Sequence, residues 1–140
     1  MNVLFDTHFL TDILFEKGDH LDDAVFLLDK AEKKRIDGWI SAVSLTELHH
    51  FIFSKDTIDK TSDIVRNVLL IVRVVTVDEK IAHAALQSAI SDYTLALIAE
   101  SAKAANLDCI VSTNRALWEE RGIRILTPKD LRTIIEYSGI

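Results

Sequence analysis

One cysteine, one proline and four glycines in 140 residues exclude several kinds of protein at once. A lone thiol cannot build a disulfide framework, so the chain is not expected to be a stapled secreted domain. So little proline and glycine rules out collagen-like and linker-like chains, and no low-complexity stretch or repeat is present. No apolar run approaches the ~20 residues that cross a bilayer, and the opening MNVLFDTHFL has no basic stretch ahead of its apolar residues. A membrane span and a signal peptide are therefore not expected, a cytoplasmic protein is, and Cys109 inside the apolar CIV is read as a buried, inert thiol.

The chain has 49% hydrophobic and 27% charged residues, enough for one core over a single domain, residues 1–140. Its formal charge of −6 argues against an extended basic surface for nucleic acid, since phosphate contacts need Lys and Arg. Charge is unevenly spread, however. Lys30, Lys33, Lys34 and Arg35 read as a solvated helix end, whereas Arg115, Arg121, Arg124, Lys129 and Arg132 offer a path for an anionic substrate.

Apolar spacing orders the chain as alternating strands and helices. Asn2 to Phe5 reads as a strand, and Asp6-Thr7 caps a helix carrying Phe9, Leu10, Ile13 and Leu14. A second helix follows Gly18 and is closed by Gly38, Trp39 to Val43 forms the second strand, and Ser44-Leu45-Thr46-Glu47 opens a third helix as a capping box. A helix over Asp59 to Leu69, a strand over Ile71 to Val77, and helices after Asp78 and through Leu95 to Ala105 follow. Strands at Cys109 to Val111 and Arg124 to Leu126 precede a last helix with Pro128 at its first position. This alternation calls for a parallel sheet covered on both faces, with ligands taken at the carboxyl ends of the strands.

Three acids fall at such ends: Asp6, Glu47 and Asp92. Carboxylates brought together repel unless a cation lies between them, and an all-oxygen set suits Mg²⁺ or Mn²⁺. A cation so held can activate water against a phosphodiester. Each acid also has a plainer reading: Asp6 and Asp92 as helix caps and Glu47 as the second half of the capping box. Asn114 can be a turn residue or position a water, with Ser112 supporting it. His8, His49 and His50 read as surface or interface residues.

The segments VLFDTHFLTDIL, WISAVSLTELHHF, SDYTLALIAESAKAANLDCIVSTN and RILTPKDL together resemble the PIN-domain family, which includes the VapC-type toxins. The resemblance covers nearly the whole chain in the right order. It implies one PIN-like α/β domain with a parallel sheet in the order 3-2-1-4-5 flanked by helices. It further implies an endoribonuclease that hydrolyses RNA with Mg²⁺ or Mn²⁺ held by Asp6, Glu47 and Asp92 as metal-binding and catalytic residues, with Ser112 and Asn114 behind them. An antitoxin protein and a second copy of the chain, paired through residues such as Phe51, Phe53 and Trp118, are the partners it implies. The sequence departs from the family pattern at Leu95 and Leu117, where acids are usual. A degenerate PIN domain that binds rather than cleaves is the alternative. A doubly wound flavin-binding or signalling domain would share the strand–helix alternation but lacks here a Gly-rich phosphate loop.

Overall fold

The computed structural model describes residues 1–118 and 122–140, so Arg121, one of the basic residues singled out above, lies outside the described residues. Five parallel strands, β1 (Asn2–Phe5), β2 (Asp37–Ser41), β3 (Arg73–Val75), β4 (Cys109–Val111) and β5 (Arg124–Leu126), form one sheet in the order β3-β2-β1-β4-β5. This is the expected order. Its centre, β1 and β4, is buried on both faces, which explains why VLF and CIV are unbroken apolar runs.

Alternation along the strands divides the core in two. Val3, Phe5, Cys109 and Val111 face helices α1 (Thr7–Leu14), α2 (Leu21–Glu32), α3 (Ala42–Phe53), α4 (Ile58–Ile71) and α7 (Pro128–Ser138). Leu4, Ile110 and Ile125 face α5 (Glu79–Leu86) and α6 (Tyr93–Ala104). Chain order reverses direction across the sheet between β1 and β4, so the crevice above these two strands is where a ligand is expected.

The third strand spans only Arg73–Val75, because Ile71 still belongs to α4, and three further points differ from the sequence reading. The second strand ends at Ser41, whose hydroxyl accepts from the Val43 N–H and caps α3, so Ser44 and Glu47 lie inside the helix and form no capping box. Gly38 closes no helix. It sits in β2, where an added Cβ would lie 2.9 Å from the Phe5 ring, and glycine lets that ring pack against the strand and stack on Phe9 at 4.5 Å. Trp118 is not an open aromatic: it is 6% exposed and packs into the core beneath α6. The capping of α1 by Asp6, of α5 by Asp78 and of α7 by Thr127 and Pro128 is as the sequence suggests, and Cys109 is buried with its thiol pushed up to about 12, chiefly by that burial. Among the described residues, no helix is long and apolar enough to cross a membrane.

Candidate active site

Asp6 is the first residue beyond β1. Its backbone N–H still donates to Val111 O of β4 at 3.2 Å, while its carboxylate accepts from Phe9 N–H at 2.8 Å and caps α1. The ladder and the cap together leave the side chain 3% exposed. Burial pushes its pKa up to about 6, although the Ser112 hydroxyl, the Phe9 N–H and His8 oppose that rise and Asp12 adds to it. Ser112 follows β4, is fully buried, and accepts from Asn114 N–H at 3.1 Å while its hydroxyl bonds Asp6. The serine thus supports the acid directly.

Glu47 rises from the second turn of α3, where its carboxylate accepts from the Thr7 hydroxyl at 2.9 Å. Because Thr7 is the neighbour of Asp6, this bond fixes α3 against the start of α1. Asp92 caps α6 by accepting from Leu95 N–H at 3.2 Å. Both acids are helix caps, as the sequence suggests, and the Asp6 carboxylate is held by the Ser112 hydroxyl as well as by the Phe9 N–H.

Glu47 and Asp92 line one open cleft of about 410 Å³. From α1 come Thr7, His8 and Thr11, from α3 His50 and Phe51 beside Glu47, and from α6 Thr94, Leu95 and Ile98 beside Asp92, with Leu117 closing the rim. Asp6 lies behind Thr7, out of the lining, and Asn114 stands exposed at the start of a 3₁₀ turn, Arg115–Leu117, also out of it. His8 and His50, which the sequence suggests are surface or interface residues, line the cleft, His50 one turn after Glu47 on the same helix. Thr7 goes unmarked in the sequence, where no pattern points to a partner forty positions away. The basic path loses Arg132, which is held by Asp23 at 3.2 Å and Glu136 at 2.9 Å.

As arranged, no three Asp, Glu, His or Cys side chains among the described residues stand close enough to enclose a metal ion. The oxygen-only chemistry of Asp6, Glu47 and Asp92 instead fits a hard cation that keeps several of its waters and takes only one or two carboxylates, as Mg²⁺ does. One turn before Glu47, the buried Ser44 hydroxyl has no hydrogen-bond partner among the described residues.

The sequence profile described as PIN domain matches residues 2–116. No curated protein gives a significant match. Among solved structures, the chain is similar to one in VapBC2 of Rickettsia felis bound to a DNA fragment from its promoter (16% identity, TM-score 0.69, 91% of this chain and 98% of that one). It is similar to one in DNA-bound VapBC of Salmonella typhimurium (20% identity, TM-score 0.69, 91% and 98%). It is also similar to VapC20 of Mycobacterium tuberculosis, a sarcin-ricin loop cleaving toxin (13% identity, TM-score 0.60, 77% and 86%).

Proposed function

We propose that this chain, which belongs to the PIN domain family, is a cytoplasmic, metal-dependent endoribonuclease of the toxin–antitoxin kind. The observation that carries the reading is that Glu47 and Asp92 face one cleft while the Thr7 bond to Glu47 ties Asp6 to the same corner. The neighbour described as a sarcin-ricin loop cleaving toxin supports RNA as substrate, and the neighbours described as VapBC complexes support an antitoxin partner.

Asp6, Glu47 and Asp92 would hold Mg²⁺ or Mn²⁺, one or two of them directly and the rest through the waters the ion keeps. Such an ion supplies positive charge against the charge developing on a phosphodiester and eases the deprotonation of water. The chain's own groups do the positioning. Phe9 N–H and the Ser112 hydroxyl hold the Asp6 carboxylate in one rotamer, Thr7 holds Glu47, and Leu95 N–H holds Asp92. Asn114, exposed beyond Ser112, is assigned to water positioning at the rim.

Calorimetric titration with Mn²⁺ tests this. Saturable binding is expected for the native protein, weakened roughly tenfold or more in Asp6→Asn. Equal heats from the two proteins would remove the metal site. Leu95 and Leu117 in the cleft favour a second reading, a PIN domain that binds without cleaving. Mn²⁺ binding with no cleavage of single-stranded RNA would select it.

The proposal includes a homodimer. Phe51 and Phe53 on α3 are 38% and 48% exposed, and Phe53 shares a shallow apolar groove with Leu45 and Val65. Light scattering at tens of micromolar should give twice the chain mass of 15.8 kDa for the native protein and a monomer for Phe53→Asp. A monomeric native protein would exclude this pairing.

A further inference from the structure

Among the described residues lining the cleft there is no Lys or Arg, and its two carboxylates repel the phosphates of any nucleic-acid strand that approaches. Even with a cation between the acids, only the phosphate at that point is offset. The phosphates on either side of it need positive charge from the chain itself. One such charge stands at the mouth, on α3. Lys55 follows the end of that helix and carries its ammonium 5.4 Å from the centroid of the Phe51 ring, which lines the cleft, and 5.9 Å from that of Phe15. The two rings meet edge to face at 5.2 Å and form one aromatic corner for the ammonium.

Lys33 and Lys103 each have a carboxylate at 2.9 Å, from Asp29 and Glu100. Lys55 is exposed, and among the described residues its ammonium has neither an ion pair nor a hydrogen bond. The adjacent Asp56 turns to its own chain, accepting from Thr57 N–H at 2.7 Å. Aromatic faces hold a cation without neutralising it, so its N–H groups stay open to an anion from solvent. They also order the flexible stem in advance, which lowers what binding costs in side-chain freedom. The C-terminal end of α3 favours a cation there too, but that effect acts on stability and involves no ligand.

We infer that Lys55 binds the substrate strand, its ammonium contacting an RNA backbone phosphate that flanks the one at Glu47 and Asp92. The inference rests on the ribonuclease reading above and adds the side from which the strand is held. Lys55 lies eight residues beyond Glu47, roughly 12 Å along the chain's path at 1.5 Å per helical residue. Placed over Phe51, it stays outside the cleft lining, so the phosphate it meets is a neighbouring one and not the one at the carboxylates. Such a contact reads no base and fixes only the course of the strand across the mouth.

The test is the salt dependence of binding, read by fluorescence anisotropy of a short labelled single-stranded RNA in Ca²⁺ from about 50 to 200 mM KCl. Losing one phosphate contact makes the slope of log affinity against log salt shallower by about 0.7 for a single strand. Lys55→Gln should therefore bind roughly fivefold more weakly than native at the low end and about twofold more weakly at the high end. Lys55→Arg keeps the charge and stacks on the same rings, so it should keep the native slope. Lys33→Gln, at the end of α2 and away from the cleft, should match the native protein in both affinity and slope. If Lys55→Gln binds RNA as the native protein does, the contact is overturned and the open ammonium is left to a carboxylate of a protein partner. A loss by the same factor at every salt concentration also overturns it, since a disturbed fold and not a missing charge would then be responsible. Both results leave the ribonuclease reading in place. If the native protein binds no RNA over this range, that reading falls and the contact with it.

Discussion

Replacing Asp6 by Asn should make the metal-free protein more stable at neutral pH, on the order of 3 kcal/mol, even as it weakens the proposed metal site. The sign follows from the cause. Burial raises the Asp6 pKa from 3.8 to about 6, so the native state disfavours the ionised form. Native stability is then highest with the proton on and is lost as pH rises from about 4 through about 6. Above that range the native protein carries the full penalty and Asp6→Asn carries none. Asparagine keeps the cap, since its amide oxygen can accept from Phe9 N–H as well as a carboxylate does. Urea unfolding of both proteins in chelator, from pH 4 to 8, should show curves that nearly coincide at the acid end and diverge by pH 7. A variant less stable than native at pH 7 would mean that hydrogen bonds to the carboxylate outweigh its desolvation. Saturating Mn²⁺ should narrow the gap by stabilising only the native protein, which is the behaviour of a site kept for function at the expense of stability.

Much of this arrangement is legible in the sequence because it is local. Asp6 follows an apolar run and precedes a helical period, and the same letters that make it a cap also put it at the carboxyl end of a central strand. Asp92, three residues before an amide it accepts from, is readable in the same way. The start of α3 is not. WISAVSLTEL contains two serines, each able to cap, and the second completes a capping-box pattern with Glu47. Strand pairing makes the choice. Ser41 is still in register with Val75 of β3, and the chain turns helical immediately afterwards, so the first serine caps. That three-residue difference moves Glu47 from the first turn into the second, where Thr7 can reach it. Gly38 is ambiguous in the sequence for a similar reason: a helix stop and a tight strand packing both use glycine, and only the Phe5 ring on the neighbouring strand tells them apart. Trp118 lies in a stretch with no period, so nothing local shows which of Leu117 and Trp118 turns inward.

Leu95 carries the other large effect. Leu95 occupies the third position of α6, its N–H donates to the Asp92 carboxylate, and its side chain lines the cleft that Glu47 and Asp92 share. An aspartate there would add a third charge to the cleft without disturbing the helix, because an acid in the first turn is favoured by the helix dipole. Without a cation it would sit close to Asp92 and be repelled, so Leu95→Asp should lower the melting temperature in chelator. With Mn²⁺ the added ligand should raise metal affinity by tenfold or so and restore that loss, since the ion binds only the folded state. Cleavage of single-stranded RNA, expected to be slow in the native protein, should become roughly tenfold faster in kcat. The decisive comparison is the same replacement in an Asp6→Asn background. If both acids serve one ion, the gain in affinity and in kcat should vanish there, and an undiminished gain would mean that Leu95→Asp builds a separate site. A native protein that already cleaves as fast as Leu95→Asp would show that the cleft needs no acid at this position and would remove the case for a merely binding domain; if neither protein cleaves RNA, the ribonuclease reading goes.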